Sequence, residues 1–231
     1  TTLIAALVAA LKELRIKPVL LAPTGRAAKV LARYCGEQAL TIHKRIYRQR
    51  TNADYESKFS LDFNREQGAV FIVDEASMLS DSTGDGALFG SGSLLEDLVS
   101  YVRSGRGCRL ILVGDSAQLP PVGCDFSPAL DPATVSRYGE VVYGLMDEVV
   151  RQQMQSGILF NATLVRCMLE NRIYEIPKFE MDYPDFESVE GGDFMEKLQD
   201  AFDRYGRDEV IVITRSNKRA NRYNEGIRRY I

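Results

Sequence analysis

The run Ala69 to Val73 is wholly apolar and ends in Asp74-Glu75-Ala76-Ser77, so two carboxylates emerge where a buried strand meets solvent. A carboxylate at such a lip can hold a magnesium ion through water, and a second one beside it can polarise an attacking water. Together they neutralise phosphate charge and orient a nucleophile, which is most of what phosphoryl transfer asks of a protein. The same pair also fits a strand that merely ends in acids. A second cluster, Gly114-Asp115-Ser116-Ala117-Gln118-Leu119-Pro120-Pro121, follows the apolar run Leu110 to Val113. It sets a neutral amide, Gln118, on a loop stiffened by two prolines, where it can hydrogen-bond a terminal phosphate or the attacking water. Read plainly, those residues also make a good turn.

Both clusters need a scaffold that brings strand ends together. Pro18 to Ala22 is a third short apolar run, and it leads through Pro23-Thr24-Gly25 into a helical pattern from Arg26 to Tyr34. Strands of this kind alternating with helices predict an α/β fold with a parallel sheet covered on both faces. In such sheets ligands sit beyond the carboxyl ends of the strands, and here each strand ends in a polar cluster. Ahead of the first strand, Leu3, Ile4, Leu7, Val8, Leu11 and Leu14 form an amphipathic helical stripe.

The spacing further predicts a short helix from Thr41 to Tyr47, a loop or small hairpin over Arg50 to Gln67, a glycine-rich loop over Ser80 to Ser93, and a helix over Leu94 to Val102. Later come an expected strand at Val141 to Leu145, a helix over Ile158 to Glu170, a helix near Phe194 to Tyr205, and a strand at Val210 to Ile213. Ser216-Asn217 then caps a helix carrying Lys218, Arg219, Arg222, Arg228 and Arg229. The stretch Lys178 to Glu209 holds eleven acids against four bases and marks a candidate boundary.

Composition narrows the class. At 231 residues, 45% of them apolar, the chain has ample material for a buried core. Its 29 basic and 32 acidic residues give a net charge of −3, so any nucleic-acid binding must be local. The four cysteines (Cys35, Cys108, Cys124, Cys167) form no C-x-x-C pair and have only His43 for company, which argues against zinc and for reduced thiols in a cytoplasmic protein. No apolar run approaches the ~20 residues of a membrane span.

Taken in order, Pro23-Thr24-Gly25-Arg26-Ala27-Ala28, Asp74-Glu75-Ala76-Ser77, Gly114-Asp115-Ser116-Ala117-Gln118-Leu119-Pro120-Pro121-Val122-Gly123 and Val150-Arg151-Gln152 resemble the motifs of superfamily-1 DNA helicases of the RecD branch, the family of the exodeoxyribonuclease V alpha subunit. The resemblance spans nearly the whole chain, and the Gly-Asp-x-x-Gln-Leu-Pro-Pro-Val-Gly stretch is its most specific part. It implies a P-loop NTPase (RecA-like) domain over 1–150, and over 151–231 a connection and the start of a second RecA-like domain. It further implies ATP and Mg²⁺ as cofactors, single-stranded DNA as partner with 5′ to 3′ movement, and a role in DNA repair or recombination, alone or with other subunits of a nuclease–helicase complex.

The resemblance assigns Asp74 to magnesium, Glu75 to water activation, Gln118 to sensing the γ-phosphate and Arg151 to reaching that phosphate across the cleft. An arginine there suits charge that develops during transfer, although Arg151 can also be read as a surface ion pair with Glu148. Thr24, Gly25 and Arg26 resemble a loop gripping the DNA backbone. Thr41 and His43 resemble a second contact, next to a basic patch of Lys44, Arg45, Arg48 and Arg50; Asn217 matches the start of the second motor domain. His43 reads equally well as a structural residue, and the basic helix after Asn217 as a solvated face.

One motif is missing from the sequence: the loop G-x-x-x-x-G-K-[ST], whose N–H groups and lysine cradle phosphates. Thr1 and Thr2 match the hydroxyl residues that follow its lysine, with Thr1 in the magnesium-ligand position. The expectation is a helicase fragment that folds around its sheet, binds ATP weakly and neither hydrolyses it nor unwinds DNA. The rival expectation is a non-catalytic subunit contributing DNA or partner binding to a nuclease complex.

Overall fold

Leu20, Leu21 and Ala22 are apolar without alternation, as are Val70 to Val73, and a strand with no polar face must be covered on both sides. The computed structural model, which describes residues 2–51, 57–82, 89–146, 156–206 and 208–230, shows that covering. Two units divide the chain, Thr1–Asp147 and Glu148–Ile231. The first contains α1 (Thr2–Glu13), β1 (Pro18–Ala22), α2 (Gly25–Cys35), β2 (Ala39–Thr41), α3 (Ile42–Ile46), β3 (Tyr47–Thr51), β4 (Ser57–Leu61), β5 (Val70–Val73), α4 (Leu94–Ser104), β6 (Arg109–Leu112) and the single turn α5 (Pro132–Val135).

Four strands form one parallel sheet in the order β2-β1-β5-β6, and β3 pairs with β4 as an antiparallel hairpin. Alternate side chains of β5 point to opposite faces. Val70 and Ile72 meet Ile4, Val8 and Leu11 of α1 and Leu31 of α2, while Phe71 and Val73 meet Ile42 and Ile46 of α3 and Leu95, Leu98 and Val102 of α4. Burying each such large side chain contributes about 1.5–3 kcal/mol. Of the stripe expected on α1, Leu3 and Leu14 remain 55% and 69% exposed. At 100° per residue they fall about 80–100° away from the line of Ile4, Val8 and Leu11.

Two further expectations need correction. Val141 to Leu145 is irregular, with Val142 96% exposed, and Val210 to Ile213 is irregular with Ile213 88% exposed. Both runs have strand-like composition, but a strand exists only where a neighbouring edge takes its N–H and C=O groups, and no described strand pairs with either. β6, expected to be buried, is the outer strand of the sheet and is partly exposed.

The second unit contains α6 (Gly157–Glu170), α7 (Phe194–Tyr205) and α8 (Asn217–Tyr230). Side chains rather than a sheet order its first half. Asp185 accepts hydrogen bonds from the Ser156 hydroxyl (2.6 Å) and the Gly157 amide (2.7 Å) at the start of α6. The buried Asn161 amide donates to the Gly157 and Glu180 carbonyls and accepts from the Glu180 N–H. The Ser156 hydroxyl foremost, with the Gly157 and Ile158 amides, holds the Asp185 carboxyl below its ordinary range. Because the folded value lies below the unfolded one, this stabilisation is complete above the unfolded carboxylate value, about 4, and is lost as pH falls through the folded value. Asp185→Asn is therefore expected to lower the urea midpoint of this unit at neutral pH and to match the wild type in strong acid. The Gly157 amide chemical shift should titrate in the wild type alone.

Candidate functional site

All four strands of a parallel sheet deliver their following loops to one edge, and the backbone ladder runs on past the strands to hold those loops together. The Asp74 N–H bonds the Leu21 carbonyl (3.0 Å), the Val113 N–H bonds the Val73 carbonyl (2.8 Å), and the Ala76 N–H returns to the Val113 carbonyl (2.9 Å). The loop after β5 is thereby locked to the loop after β6. A Cβ on Gly114 would lie 2.9 Å from the Ser77 nitrogen and 3.2 Å from the Ala76 nitrogen, so the approach of these two backbones requires glycine.

Within that lock, Asp74 and Glu75 are half-buried. Glu75 has φ +56°, ψ +38°, a left-handed conformation that costs a residue with a side chain about 1–3 kcal/mol. Asp74 sustains it by accepting the Glu75 N–H on Oδ1 at 3.1 Å. Ser77 is fully buried, and its hydroxyl has no hydrogen-bond partner among the described residues. On the β6 side, Asp115 folds the loop by accepting the Ala117 N–H at 3.0 Å, and the Gln118 N–H bonds the Asp115 carbonyl at 3.1 Å. The Gln118 side chain is exposed.

The other half of the edge is built from helix starts. Thr24 caps α2 by accepting the Ala27 N–H (3.2 Å), and Thr41 caps α3 by accepting the Lys44 N–H (3.2 Å). β1 and β2 are neighbours with Ala22 opposite Thr41, so both caps stand on the same edge. Thr24, Gly25 and Arg26 are exposed there. α1 is joined to β1 by a short turn and runs back along the sheet, which brings exposed Thr2 to this edge as well. Asn217 is exposed in the second unit as the first residue of α8, which Ser216 caps by accepting the Arg219 N–H. Thr1 and Arg151 lie outside the described residues.

His43 is half-buried in an aromatic cluster, 5.1 Å from Phe89 edge-on and 5.6 Å from Tyr47 between ring centroids. Burial lowers its pKa, which favours the neutral ring. Phe59 stacks on Phe89 at 4.5 Å, and buried Asp97 of α4 closes the cluster, accepting the Tyr47 hydroxyl (2.6 Å) and the Ser91 N–H (3.0 Å). Gly90, at φ +47°, passes so close that a Cβ would lie 1.9 Å from the Asp97 carboxylate. Burial, with Asp97 beside it, pushes the Tyr47 phenol far up, so it remains a donor. Asp97→Ala leaves the buried Tyr47 hydroxyl unmet and frees the part-buried Ser91 N–H, and is expected to cost about 1–3 kcal/mol in chemical denaturation.

Sequence reasoning missed this cluster. Its one signal was an acid at position 97 within the apolar stripe of α4. The expected basic patch is also more balanced than its sequence suggests: Arg45 pairs with Glu66 (2.7 Å) and Arg48 with Asp62, while the Arg50 side chain lies outside the description.

A parallel sheet with helices on both faces, with an acid pair and an amide-bearing loop locked at its carboxyl edge, is the fold of a P-loop NTPase, a nucleotide-binding class. A family model described as an AAA domain matches residues 1–162, and the chain belongs to that family. No curated protein matches the sequence. The family implies an ATPase domain that works on nucleotide with Mg²⁺. Asp74 suits that ion, since magnesium takes one or two carboxylates and completes its shell with water and phosphate oxygens. Among the described residues there is no cluster of three or more metal-ligating side chains, and no helix is long and apolar enough to cross a membrane.

Proposed function

We propose that this chain supplies the cation-and-water side of an ATP-dependent motor that moves 5′ to 3′ on single-stranded DNA, a cytoplasmic helicase of the RecD-like branch serving repair or recombination with other subunits of a nuclease–helicase complex. The observation that supports it best is the division of one sheet edge. Acids and an amide stand at the β5 and β6 end, while helix starts with an exposed arginine stand at the β1 and β2 end.

In this reading Asp74, with the hydroxyl of Thr1, would hold magnesium, which when bound would neutralise the phosphate charge, and Thr2 would lie against the nucleotide. Glu75 takes the proton of the attacking water. Gln118 hydrogen-bonds the terminal phosphate or the water, and Arg151 stabilises the charge that develops there. Because the Gln118 loop is locked to the Asp74 loop, loss of the phosphate reaches both together. Thr24, Gly25, Arg26, Thr41 and His43 contact the DNA backbone through helix N–H groups, hydroxyls and charge, and Asn217 begins the second half of the track.

The test is ATP hydrolysis, with and without single-stranded DNA, by a polypeptide extended to carry G-x-x-x-x-G-K immediately ahead of Thr1 and a complete second motor domain. DNA should raise turnover; turnover indifferent to DNA would overturn the reading. The 231-residue chain should bind a fluorescent ATP analogue only weakly, since its sequence holds no phosphate cradle.

A further inference from the structure

A cavity of about 490 Å³ lies between α3, the start of the β3–β4 hairpin and the segment after β4. It is open to solvent and lined mainly by polar groups, the form of a surface groove rather than of an enclosed small-molecule pocket. Leu40 and Tyr101 line it together with Phe63, a residue that is 66% exposed. Lys44, Arg48 and Arg65, all exposed, supply its cations.

The two carboxylates at this site are already engaged. Asp62 is paired with Arg48, and Glu66 accepts from both Lys17 and Arg45. Lys44 and Arg65 thus remain as positive charge with no ion-pair partner among the described residues. Beneath them Arg45 is held by Glu66 at 2.7 Å, and its Nε is buried with no hydrogen-bond partner among the described residues. An exposed aromatic face beside cations matches the way single strands are held, with bases stacked on rings and phosphates near charge. The cavity also adjoins the proposed DNA track: Lys44 lies three residues of helix, about 4.5 Å, along α3 from its cap Thr41.

We infer that this cavity holds one nucleotide of a single-stranded nucleic acid, its base stacked on Phe63 and its phosphate between Lys44 and Arg65. The inference rests on the nucleic-acid reading of the carboxyl edge and extends the track around α3 to the foot of the hairpin.

Fluorescence anisotropy of a labelled oligothymidylate with the 231-residue chain, across a salt series, tests it. Phe63→Ala is expected to weaken binding by about 5- to 100-fold with an unchanged salt slope, and Phe63→Tyr to restore it. Lys44→Ala and Arg65→Ala should each reduce the slope of log affinity against log salt by about 0.7. All three side chains are exposed, so these variants should fold. If they bind like the wild type while Arg26→Ala weakens binding, the cavity assignment fails and the edge reading stands. If the wild type binds no oligonucleotide at any salt, both fail. Displacement as effective by thymidine monophosphate, or by polyglutamate, would overturn the strand assignment in favour of a free nucleotide or an acidic peptide.

Discussion

Glu75→Gln is expected to lower DNA-stimulated ATP turnover in the extended motor by about 10²–10⁴-fold, the range that a positioned general base contributes. Glutamine keeps the size of the side chain and one hydrogen-bonding oxygen but cannot take a proton. Nucleotide affinity and thermal stability should therefore stay near those of the parent, because the left-handed turn is held through the Glu75 backbone N–H and the Asp74 carboxylate, which the substitution leaves in place. Steady-state hydrolysis together with nucleotide titration checks both halves. Turnover within a few-fold of the parent would remove Glu75 from the chemistry.

Gly114→Ala should act through structure instead. The added carbon would meet the Ser77 and Ala76 backbone nitrogens at 2.9 and 3.2 Å and Leu130 Cδ1 at 3.0 Å. The leucine can turn away, whereas the buried backbone at Ala76 and Ser77 cannot, so the β6 loop must lift off the β5 loop. Overpacking of this kind costs about 1–3 kcal/mol, which for a chain of this size is a fall of about 2–12 °C in Tm. Lifting the loop also shifts the segment that carries Gln118, so on the proposed reading kcat in the extended motor should fall more than ATP affinity. Differential scanning calorimetry and a kcat against KM comparison read the two effects. An unchanged Tm would show that the loops are not packed as described.

What the sequence made legible was the part governed by local pattern. β1, β5 and β6 were visible as short apolar runs, and α1, α2, α4, α6, α7 and α8 through their periodicity and caps. β2 was missed because Ala39–Thr41 is only three half-buried residues, which join the sheet because β1 offers an edge. Val141 to Leu145 and Val210 to Ile213 fail for the converse reason: their composition suits a strand, but pairing is a property of the neighbour. At the site, residue type and strand-end position were enough to nominate Asp74, Glu75, Gln118 and Thr24, while Thr41 was nominated through the resemblance to the helicase motifs. The lock between the two loops depends on Gly114 approaching Ser77, a contact 37 positions apart that no local pattern carries. Phe63 and Arg65 went unnoticed because an aromatic and an arginine in a polar stretch look like ordinary surface until Leu40 and Tyr101 are found beneath them.

The dihedral angles of Glu75 also bear on how descendants of this sequence can be read. A side chain at a left-handed position is a standing handicap to folding, and glycine would relieve it at once. Robustness and chemistry therefore pull this codon in opposite directions. If Glu75 has the role proposed for it, a sibling gene with glycine at this position would mark a lineage that has kept the scaffold and abandoned hydrolysis, whereas one that retains glutamate against the strain would still be under selection for turnover.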